Sequence, residues 1–426
     1  MTLSLAIAIF VLAYVLIATE KISRIAIALG GAAAMFVIGA TDADKAFYSH
    51  ETGIDWNVIF LLLGMMIIVG VIHKTGLFEF LAIKAIKVAD GSPRKALVFL
   101  VILVAVASAI LDNVTTILLA VPMTIIVCKQ LNVNPIPFLL SEVFASNIGG
   151  ASTLVGDPPN IIIASRAGLS FNDFLIHMAP LVIVAMFVIT PMLVWMFRKD
   201  LVNTPEDRAR IHEIDEFSYL KNPELLKKSL AVLSLVVVGF LAHSAIHTEP
   251  SVIALLGAGL LIAISGLKPV DYIQDVEWGT LVFFAGLFVM VGALVNVGAL
   301  QMLSDYLSEQ VAGKPELATG VLLVLSAVVS AIVDNIPYVA TMSPVVADLS
   351  AAVPAQHGDV LWWALAFGAD FGGNATIIGA SANVVAIGLA AKAGIKISFW
   401  KFAKYGIPVT IVSIAIAAPY LFIRYF

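Results

Sequence analysis

The sequence predicts an all-α polytopic membrane protein built from two inverted repeats of five spans each, every repeat with a re-entrant helical hairpin and a broken helix. Three observations support this fold class. The 426 residues are 61% hydrophobic and only 12% charged, which lies outside the usual range of soluble domains. Apolar stretches long enough to cross a bilayer recur along the whole chain. The two halves of the chain also repeat one another.

Eight apolar stretches have the length of a membrane-spanning helix. They cover residues 3–19, 25–40, 56–72, 174–197, 229–246, 251–266, 278–297 and 405–423. Lipid offers no partner to an unpaired backbone group, so all of them are expected to be helical. Charged residues follow the first stretch where a signal peptide would have small residues before a cleavage site, which predicts a retained span.

Two longer apolar runs, 96–128 and 319–349, have polar residues at their middles. A single helix over either run would be about 50 Å long, and each arm alone is too short to cross a core about 30 Å thick. Both runs therefore predict a hairpin that enters and leaves on the same side. The tips hold Asp112 and Asn113 in one hairpin and Asp334 and Asn335 in the other.

Two further segments, 136–164 and 360–390, are apolar at both ends and rich in Gly, Asn, Ser and Thr at their centres. This pattern predicts broken helices, with a simple kink as the alternative. The glycines are expected to let the backbone leave helical dihedral angles, and the two prolines to prevent a simple restart of the helix. The residues predicted to form the breaks are Gly149, Gly150, Gly156, Pro158, Pro159, Asn160, Gly372, Gly373, Gly379 and Asn383.

The repeat appears as a gapless match of residues 54–76 with 276–298, in which Trp56 meets Trp278. The same offset, the difference between 54 and 276, also aligns the two hairpin tips. With an offset one residue larger, NIGGASTLVGDPPN (147–160) aligns with DFGGNATIIGASAN (370–383). The chain is thus predicted to contain a first repeat (1–197), a linker (198–228) and a second repeat (229–426). Five crossings per repeat, an odd number, invert the second copy relative to the first.

The distribution of Lys and Arg predicts the orientation in the membrane. With both termini on the non-cytoplasmic side, most of the 24 basic residues fall on the cytoplasmic side. The exceptions are Lys45, Arg166, Lys314 and Arg424. This asymmetry predicts an inner-membrane protein whose linker between the repeats is cytoplasmic.

The acidic hairpin tips are the main chemical signal. A carboxylate at membrane depth costs about 2.5 to 3.5 kcal/mol on insertion scales, so it is expected beside a cavity or a partner. Asp112 and Asp334 either cap the second arms of their hairpins or also belong to a binding site. The residues predicted to bind a substrate or ion are Asp112, Asn113, Thr115, Asn147, Ser152, Thr153, Asp334, Asn335, Asp370, Asn374, Thr376 and Ser381.

Unpaired acids are candidates for proton coupling, because burial raises the pKa of a carboxyl group. These candidates are Asp112, Asp334, Asp370, Glu142 and Asp157. For Glu142 and Asp157 a hydrogen-bonded structural acid is the alternative. The single cysteine, Cys128, excludes intrachain disulfides and is expected to be an inert packed thiol.

DNVTT (112–116), DNIPY (334–338) and SNIGGASTLVGDPPN (146–160) resemble motifs of the ion transporter superfamily. The similar branch contains the arsenite permeases and NhaD-type sodium/proton antiporters, together with the melanosomal P protein. The resemblance implies an elevator-type secondary transporter, commonly a homodimer, in which hairpins and broken helices slide against a scaffold. Related dicarboxylate transporters have Ser-Asn-Thr at the hairpin tips, where this chain has Asp112 and Asp334 in place of Ser.

An acidic tip repels a dicarboxylate, and no Arg or Lys is expected within the membrane core to offset it. Cations, protons or neutral As(OH)3 are better substrates, and one cysteine cannot form a trithiolate arsenic site. Together with the resemblance, this implies proton-coupled export of arsenite or antimonite, with Na+/H+ antiport as the alternative and a passive channel ranked lower. No enzymatic motif is present, and neither a cofactor, a fixed metal site nor a nucleic acid partner is expected. The expected partners are lipids, the cargo, protons, a second copy and, for the arsenite type, a soluble ATPase.

Overall fold

The computed structural model describes residues 1–19, 21–204, 215–311 and 313–426, and within them it contains 21 α-helices and no strand. The helices of the first half are α1 (Thr2–Thr19), α2 (Arg24–Val37), α3 (Ala43–Tyr48), α4 (Trp56–His73), α5 (Leu77–Val88), α6 (Pro93–Ile110), α7 (Asn113–Leu131), α8 (Ile136–Gly150), α9 (Pro158–Ala167), α10 (Phe171–His177) and α11 (Ala179–Met196).

The helices of the second half are α12 (Pro223–Ile246), α13 (Pro250–Ser265), α14 (Pro269–Ile273), α15 (Trp278–Asn296), α16 (Ala299–Val311), α17 (Pro315–Ser330), α18 (Asn335–Ala352), α19 (Ala355–Gly372), α20 (Ser381–Lys392) and α21 (Phe399–Tyr425). Residues 205–214 of the predicted linker lie outside the described residues. The described part of the linker contains the 3-10 turn Glu216–Tyr219 and the first residues of α12. The predicted all-α fold class is confirmed.

Seven helices among the described residues are long and apolar enough, by length and composition, to cross a membrane. They are α4, α6, α7, α11, α12, α15 and α21. Helices α6 and α7 are the two arms of the first predicted hairpin, so the expectation that each of these arms is too short to cross is wrong by length: α6 has 18 residues and α7 has 19, because both extend beyond the apolar run. Several shorter apolar helices, among them α2, α13 and α17, accompany them. The protein is therefore an integral membrane protein.

Helices α1, α2, α4, α12, α13 and α15 pack on one another in a group that we call the scaffold, and this group shows the internal repeat directly. Helix α4 packs against α13, and their counterparts α15 and α2 pack in the same way. A Cβ atom on Gly64 would lie 2.7 Å from the backbone of Ala254, and one on Gly286 would lie 2.9 Å from the backbone of Ala28. The two repeats therefore exchange equivalent helices across one interface.

The second group of helices, which we call the core group, holds the hairpins and the broken helices. The first hairpin is α6 and α7, and the second is α17 and α18. Helices α8 and α9 form the first broken helix, and α19 and α20 form the second. Helix α6 packs on α8 and α17 on α19, while α7 packs on α20 and α18 on α9. Each hairpin thus touches the broken helices of both repeats.

The glycines of the breaks allow close packing between helices. None of them has a positive φ, and Gly373 has φ −54° and ψ −24°, within the right-handed helical region. A Cβ atom on Gly149 would lie 2.3 Å from the carbonyl oxygen of Ala105, and one on Gly372 would lie 2.5 Å from that of Ala327. These glycines let each broken helix approach its own hairpin at backbone distance.

The prolines of the first break also differ from expectation. Helix α9 begins at Pro158, so Pro158 and Pro159 occupy its first turn and start the helix that they were expected to prevent. A proline is well suited to this position, because its fixed φ is helical and its missing N–H would have no partner in the first turn anyway. The break itself lies between Gly150 and Pro158.

Candidate functional site

The two hairpin tips meet the broken helices at the centre of the core group. Asp112 precedes α7, and its Oδ1 accepts a hydrogen bond of 2.8 Å from the N–H of Thr115. Asp334 precedes α18, and its Oδ1 accepts one of 3.1 Å from the N–H of Ile336. Both aspartates are buried and both cap a helix, as one of the two interpretations predicts. Capping leaves the other carboxylate oxygen of each residue available for a second role.

The second oxygen of Asp334 faces a cation. Asp334 Oδ2 accepts a hydrogen bond of 2.5 Å from Ser381 Oγ, and Arg24 NH1 lies 3.6 Å from the same oxygen. Arg24 NH1 also donates to Ser381 Oγ at 2.6 Å. The expectation that no basic residue offsets the acidic tips is therefore wrong for Asp334. Arg24 was missed because it opens α2 at the end of a span, where an arginine is ordinarily interfacial.

Asp157 receives donors from both hairpin tips. The amide of Asn113 donates to Asp157 Oδ2 at 2.7 Å, and that of Asn335 lies 3.4 Å from the same oxygen and 3.5 Å from Oδ1. Asp157 is 1% exposed and is the residue that precedes α9. The structure thus brings three residues that the sequence singles out into direct contact, although they come from three separate segments.

Asn147 continues this contact network into the second broken helix. Its Oδ1 accepts from Asn113 at 3.3 Å, and its amide donates to Asn374 Oδ1 at 3.0 Å and to Asn383 Oδ1 at 2.9 Å. All of these residues are wholly or almost wholly buried. The amides therefore connect the two repeats through the middle of the core group.

Three of the predicted binding hydroxyls, those of Ser152, Thr153 and Thr376, donate hydrogen bonds to backbone carbonyl groups. Thr153 Oγ1 donates to the carbonyl oxygen of Ala109 at 2.6 Å, and Thr376 Oγ1 donates to that of Ala331 at the same distance. Ser152 Oγ donates to a carbonyl oxygen of α8 at 2.5 Å. Each threonine thus fastens a break to its own hairpin. These hydroxyls have acceptor lone pairs, and no free proton, to offer a ligand.

Asn160 and Asn383 hold the breaks in shape. Asn160 Nδ2 donates to the carbonyl oxygen of Thr153 at 3.0 Å, and Asn383 Nδ2 donates to that of Thr376 at 2.8 Å. Each asparagine lies in the half helix that follows a break and satisfies a carbonyl group within it. These bonds replace the helical hydrogen bonds that the breaks remove.

Several polar atoms at this centre have no hydrogen bond within the part of the chain that the structure describes. They are Asn113 Oδ1, Asn160 Oδ1, both carboxylate oxygens of Asp370, and Asn374 Nδ2. All belong to fully buried or nearly buried residues. Leaving a buried polar group unsatisfied costs about 1 to 3 kcal/mol, and four of these five atoms are acceptors. The site therefore has the composition of one that accepts a proton or a cation.

The charges of the centre are strongly unbalanced. Asp112, Asp334 and Asp370 all lie close enough to repel Asp157 electrostatically, while Arg24 is paired with one of the four acids only. An unpaired carboxylate out of water is costly, so cations or protons are needed to neutralise the group. The arrangement can bind and release positive charge.

Glu277 is a neighbouring acid that sequence reasoning missed. It immediately precedes α15, and its Oε2 accepts a hydrogen bond of 3.0 Å from Thr280. Burial, together with the negative charge of Asp112, raises the pKa of Glu277 to about 7. Arg24 and Thr280 act in the opposite direction. The sequence observation that could have identified Glu277 is Asp55, an acid at the matching position of the first repeat, directly before α4.

Glu142 and Thr115 lie outside the amide network. Glu142 Oε1 accepts from Thr124 Oγ1 at 2.5 Å, and its Oε2 has no hydrogen bond among the described residues. Glu142 and Thr124 line a cavity of about 20 Å³ that also contains the unsatisfied hydroxyl of Thr116. Thr115 contributes its N–H to the Asp112 cap. The structure thus places Glu142 at a second polar position within the first repeat.

The sequence model of the family described as "Citrate transporter" matches residues 14–368. The chain belongs to the citrate transporter family. The predicted membership of the ion transporter superfamily is confirmed by this match. As a member of the citrate transporter family, the protein is a membrane transporter.

Curated relatives agree with this assignment, and two solved structures share the fold. The chain is 53% identical to the uncharacterized transporter Rv2685 of Mycobacterium tuberculosis over 99% of each protein. It is 33% identical to the human P protein over 97% of this chain and 59% of that protein. Its fold is similar to that of the Alcanivorax borkumensis YdaH transporter, with a TM-score of 0.58 at 13% identity over 99% and 98% of the two chains. The Neisseria gonorrhoeae efflux pump MtrF has the same TM-score at 12% identity, with 100% and 95% covered.

Proposed function

We propose that this member of the citrate transporter family is a secondary active antiporter that exports a small inorganic solute in exchange for protons. The observation that supports it most directly is the buried cluster of Asp112, Asp157, Asp334 and Asp370, in which acceptor atoms outnumber the donors available to them. If a proton and a cargo bind to the same acceptors, only one of them can be bound at a time, and this competition is enough to couple their transport in opposite directions. A passive channel needs no such competition, and conduction favours weak binding at several sites.

Arsenite or antimonite is the first proposed cargo. As(OH)3 is neutral at neutral pH and has hydroxyl groups that both donate and accept, which matches the mixture of carboxylates and amides around Asp157. A thiolate site is excluded by chemistry, since the only cysteine, Cys128, is buried in α7. Binding would therefore use oxygen and amide groups.

Sodium is the second proposed cargo. The unsatisfied oxygens of Asp370, Asn113 and Asn160 are hard oxygen ligands, which alkali and alkaline-earth cations prefer to nitrogen or sulfur. Citrate, which gives the family its description, fits this site poorly as a free anion. Four acids and one arginine would repel its carboxylates.

The same proposal includes the conformational cycle and the setting. The division into a scaffold and a core group supports an elevator-type movement, in which the hairpins and broken helices slide together along the scaffold. We place the protein in the inner membrane as a homodimer, with both termini on the non-cytoplasmic side, on the basis of the distribution of basic residues and of family resemblance. These features are independent of the choice of cargo.

The experiment measures arsenite and sodium transport in parallel, in everted vesicles and in proteoliposomes without ATP, so that flux does not depend on a soluble ATPase partner. Wild type is compared with Asp112→Asn and Asp334→Asn, and with Asp44→Asn, an exposed acid of α3 outside the site, as the control. Antiport predicts saturable flux, proton movement in the opposite direction, and loss of both in the two site variants only. Absence of proton movement with either cargo would refute the coupled mechanism, and unchanged flux in both site variants would reduce the two aspartates to helix caps.

A further inference from the structure

Arg24 connects the scaffold to the tip of the second hairpin. It is the first residue of α2, which packs on α15 in the scaffold, whereas Asp334 and Ser381 belong to the core group. Its guanidinium donates to Ser381 and lies beside Asp334, and Ser381 donates to the same carboxylate oxygen. A positive charge fixed to one group of helices therefore binds an acid of the other group.

The surroundings of this pair strengthen it relative to an ion pair at the surface. The side chain of Asp334 is 9% exposed and that of Arg24 is 36% exposed. The ring of Phe283 lies 5.8 Å from the guanidinium carbon, within the range of a cation–π contact. Partly buried pairs are screened by salt much less than exposed ones. The attraction between Arg24 and Asp334 thus contributes to the position of the second hairpin.

A second scaffold side chain holds the same hairpin. The hydroxyl of Tyr14, in α1, lies 2.5 Å from Thr341 Oγ1 and also donates to the carbonyl oxygen of Pro337. Thr341 and Pro337 are both in α18, the arm that begins after Asp334. Helices α1 and α2 therefore contact the second hairpin both at its tip and along its second arm.

The first hairpin has no equivalent ion pair in the described part of the chain. The reciprocal packing of Gly64 on Ala254 and Gly286 on Ala28 aligns α2 with α13, which puts Pro250 at the position of Arg24. Proline has no charge to offer. Among the described residues, Asp112 accordingly has a backbone cap but no cation beside it. The arginine therefore makes the two hairpin tips electrostatically different.

We propose that Arg24 is an internal cation that competes with the transported cation or proton for Asp334 and, when displaced, releases the second hairpin from the scaffold. This rests on the proposed function in one respect, namely that Asp334 belongs to the transport site. Protonation of Asp334, or a cation bound there, removes the attraction that holds Arg24. A ligand shifts a conformational equilibrium only through different affinities for the two states, and competition with a scaffold residue supplies that difference.

The charged groups that face this pair define its pH dependence. Asp157, on the first broken helix, repels Asp334, and Glu277, at the start of α15, acts electrostatically on Arg24. Ser381 and Tyr14 are the neutral polar neighbours. The negative charges of these acids favour binding of a positive charge beside Asp334. Arg24 supplies that charge whenever neither a proton nor a cargo cation is bound.

The first test is the pH profile of transport in proteoliposomes, using whichever of sodium or arsenite the wild type carries. Arg24→Gln removes the competitor, so the midpoint of the profile is expected to move to higher pH by about one unit, which is a tenfold change in proton concentration. Arg24→Lys restores the charge and is expected to return the midpoint toward that of the wild type. Arg198→Gln, at an exposed arginine after α11, is the matched control. An unchanged midpoint, or one at lower pH, would overturn the competition.

The second test needs no cargo. Spin labels at Asp44→Cys on α3, which packs on α15, and at Glu316→Cys on α17 report the distance between the scaffold and the second hairpin. Cys128→Ala removes the only native thiol from the background, and both labelled positions are exposed. At low sodium and alkaline pH we expect one narrow distance distribution for wild type and Arg24→Lys, and a broader or second distribution for Arg24→Gln.

The two tests separate the two proposals. Identical distance distributions in wild type and Arg24→Gln would refute the release of the hairpin, whatever the cargo. A wild type that carries neither sodium nor arsenite would contradict the proposed function, while the distance measurement would still decide the role of Arg24. Size-exclusion profiles in detergent establish that each variant is folded before either measurement.

Discussion

The contact between Gly149 and the first hairpin is tested by Gly149→Ala. The added Cβ atom would lie 2.3 Å from the carbonyl oxygen of Ala105 and 2.6 Å from its Cα, whereas ordinary contacts begin at 3.4 Å. Both neighbouring atoms are backbone, so no side chain can rotate away and two helices must separate. Overpacking of this kind costs about 1 to 3 kcal/mol, and rigid backbone places it near the upper end. Alanine has a better helix propensity than glycine, which offsets about 1 kcal/mol of this cost, so we expect the free energy of unfolding to fall by about 2 kcal/mol.

The assay is thermal unfolding of the purified protein in detergent, with a matched control. Gly388, in α20, has open space within 4 Å of the position that a Cβ atom would take, and its φ is not positive. Gly388→Ala is therefore expected to be neutral or stabilising by about 0.4 to 1 kcal/mol. Gly372→Ala, at the matching position of the second repeat, is expected to behave like Gly149→Ala. If Gly149→Ala unfolds at the same temperature as Gly388→Ala, the glycine is not required for close packing and the explanation given for the break is wrong.

Three further predictions concern acids. The pKa of Glu277 is raised from 4.5 to about 7, so Glu277 binds a proton more tightly in the folded protein than in the unfolded chain, and its contribution to stability is lost as pH rises through that interval. Glu277→Gln is expected to make the fall of unfolding temperature with pH less steep, and an unchanged slope would contradict it. Thr124→Val leaves both oxygens of Glu142 without a partner and is expected to lower the free energy of unfolding by about 1 to 3 kcal/mol. Glu142→Gln keeps the hydrogen bond to Thr124 and is expected to unfold near the wild-type temperature. One denaturation series compares the unfolding temperatures of the two variants. Asp157→Asn removes the negative charge and replaces one of the two acceptor oxygens, which face the amides of Asn113 and Asn335, by a donor. It is expected to abolish flux while the size-exclusion profile stays that of a folded protein, and retained flux would remove Asp157 from the site.

Much of the fold follows from patterns that one sequence contains. The division of each long apolar run into two helices at its polar tip could be predicted, and the repeat shows which tips correspond. The breaks could also be located. The packing role of the glycines in the breaks could not be predicted. The close approach between Gly149 and Ala105 depends on how two helices pack, and it leaves no periodic pattern in either segment.

The site could be predicted only in part, for a similar reason. The amides of Asn113 and Asn335 both lie at hairpin tips, and the structure brings both to Asp157. The partner of Asp334 could not be anticipated. Arg24 and Asp334 are separated by most of the chain and meet only when the scaffold and the core group pack together. Spacing within a motif contains no information about such a contact.

The two repeats share one backbone arrangement but differ in the positions of their charges. Asn147 of the first repeat is equivalent to Asp370 of the second, and Asp157 of the first is equivalent to Ala380 of the second. Each repeat therefore supplies one of the two acids Asp157 and Asp370, but from positions that do not correspond. Asp334 has an arginine from the scaffold, and Asp112 does not. Because the backbone frame is repeated while its charges are not, the second hairpin tip is sensitive to the position of the scaffold through Arg24, whereas among the described residues the first tip has only its backbone cap. If the protein is the antiporter proposed above, this difference lets a ligand at Asp334 change the contact between hairpin and scaffold, which a ligand at Asp112 does not do.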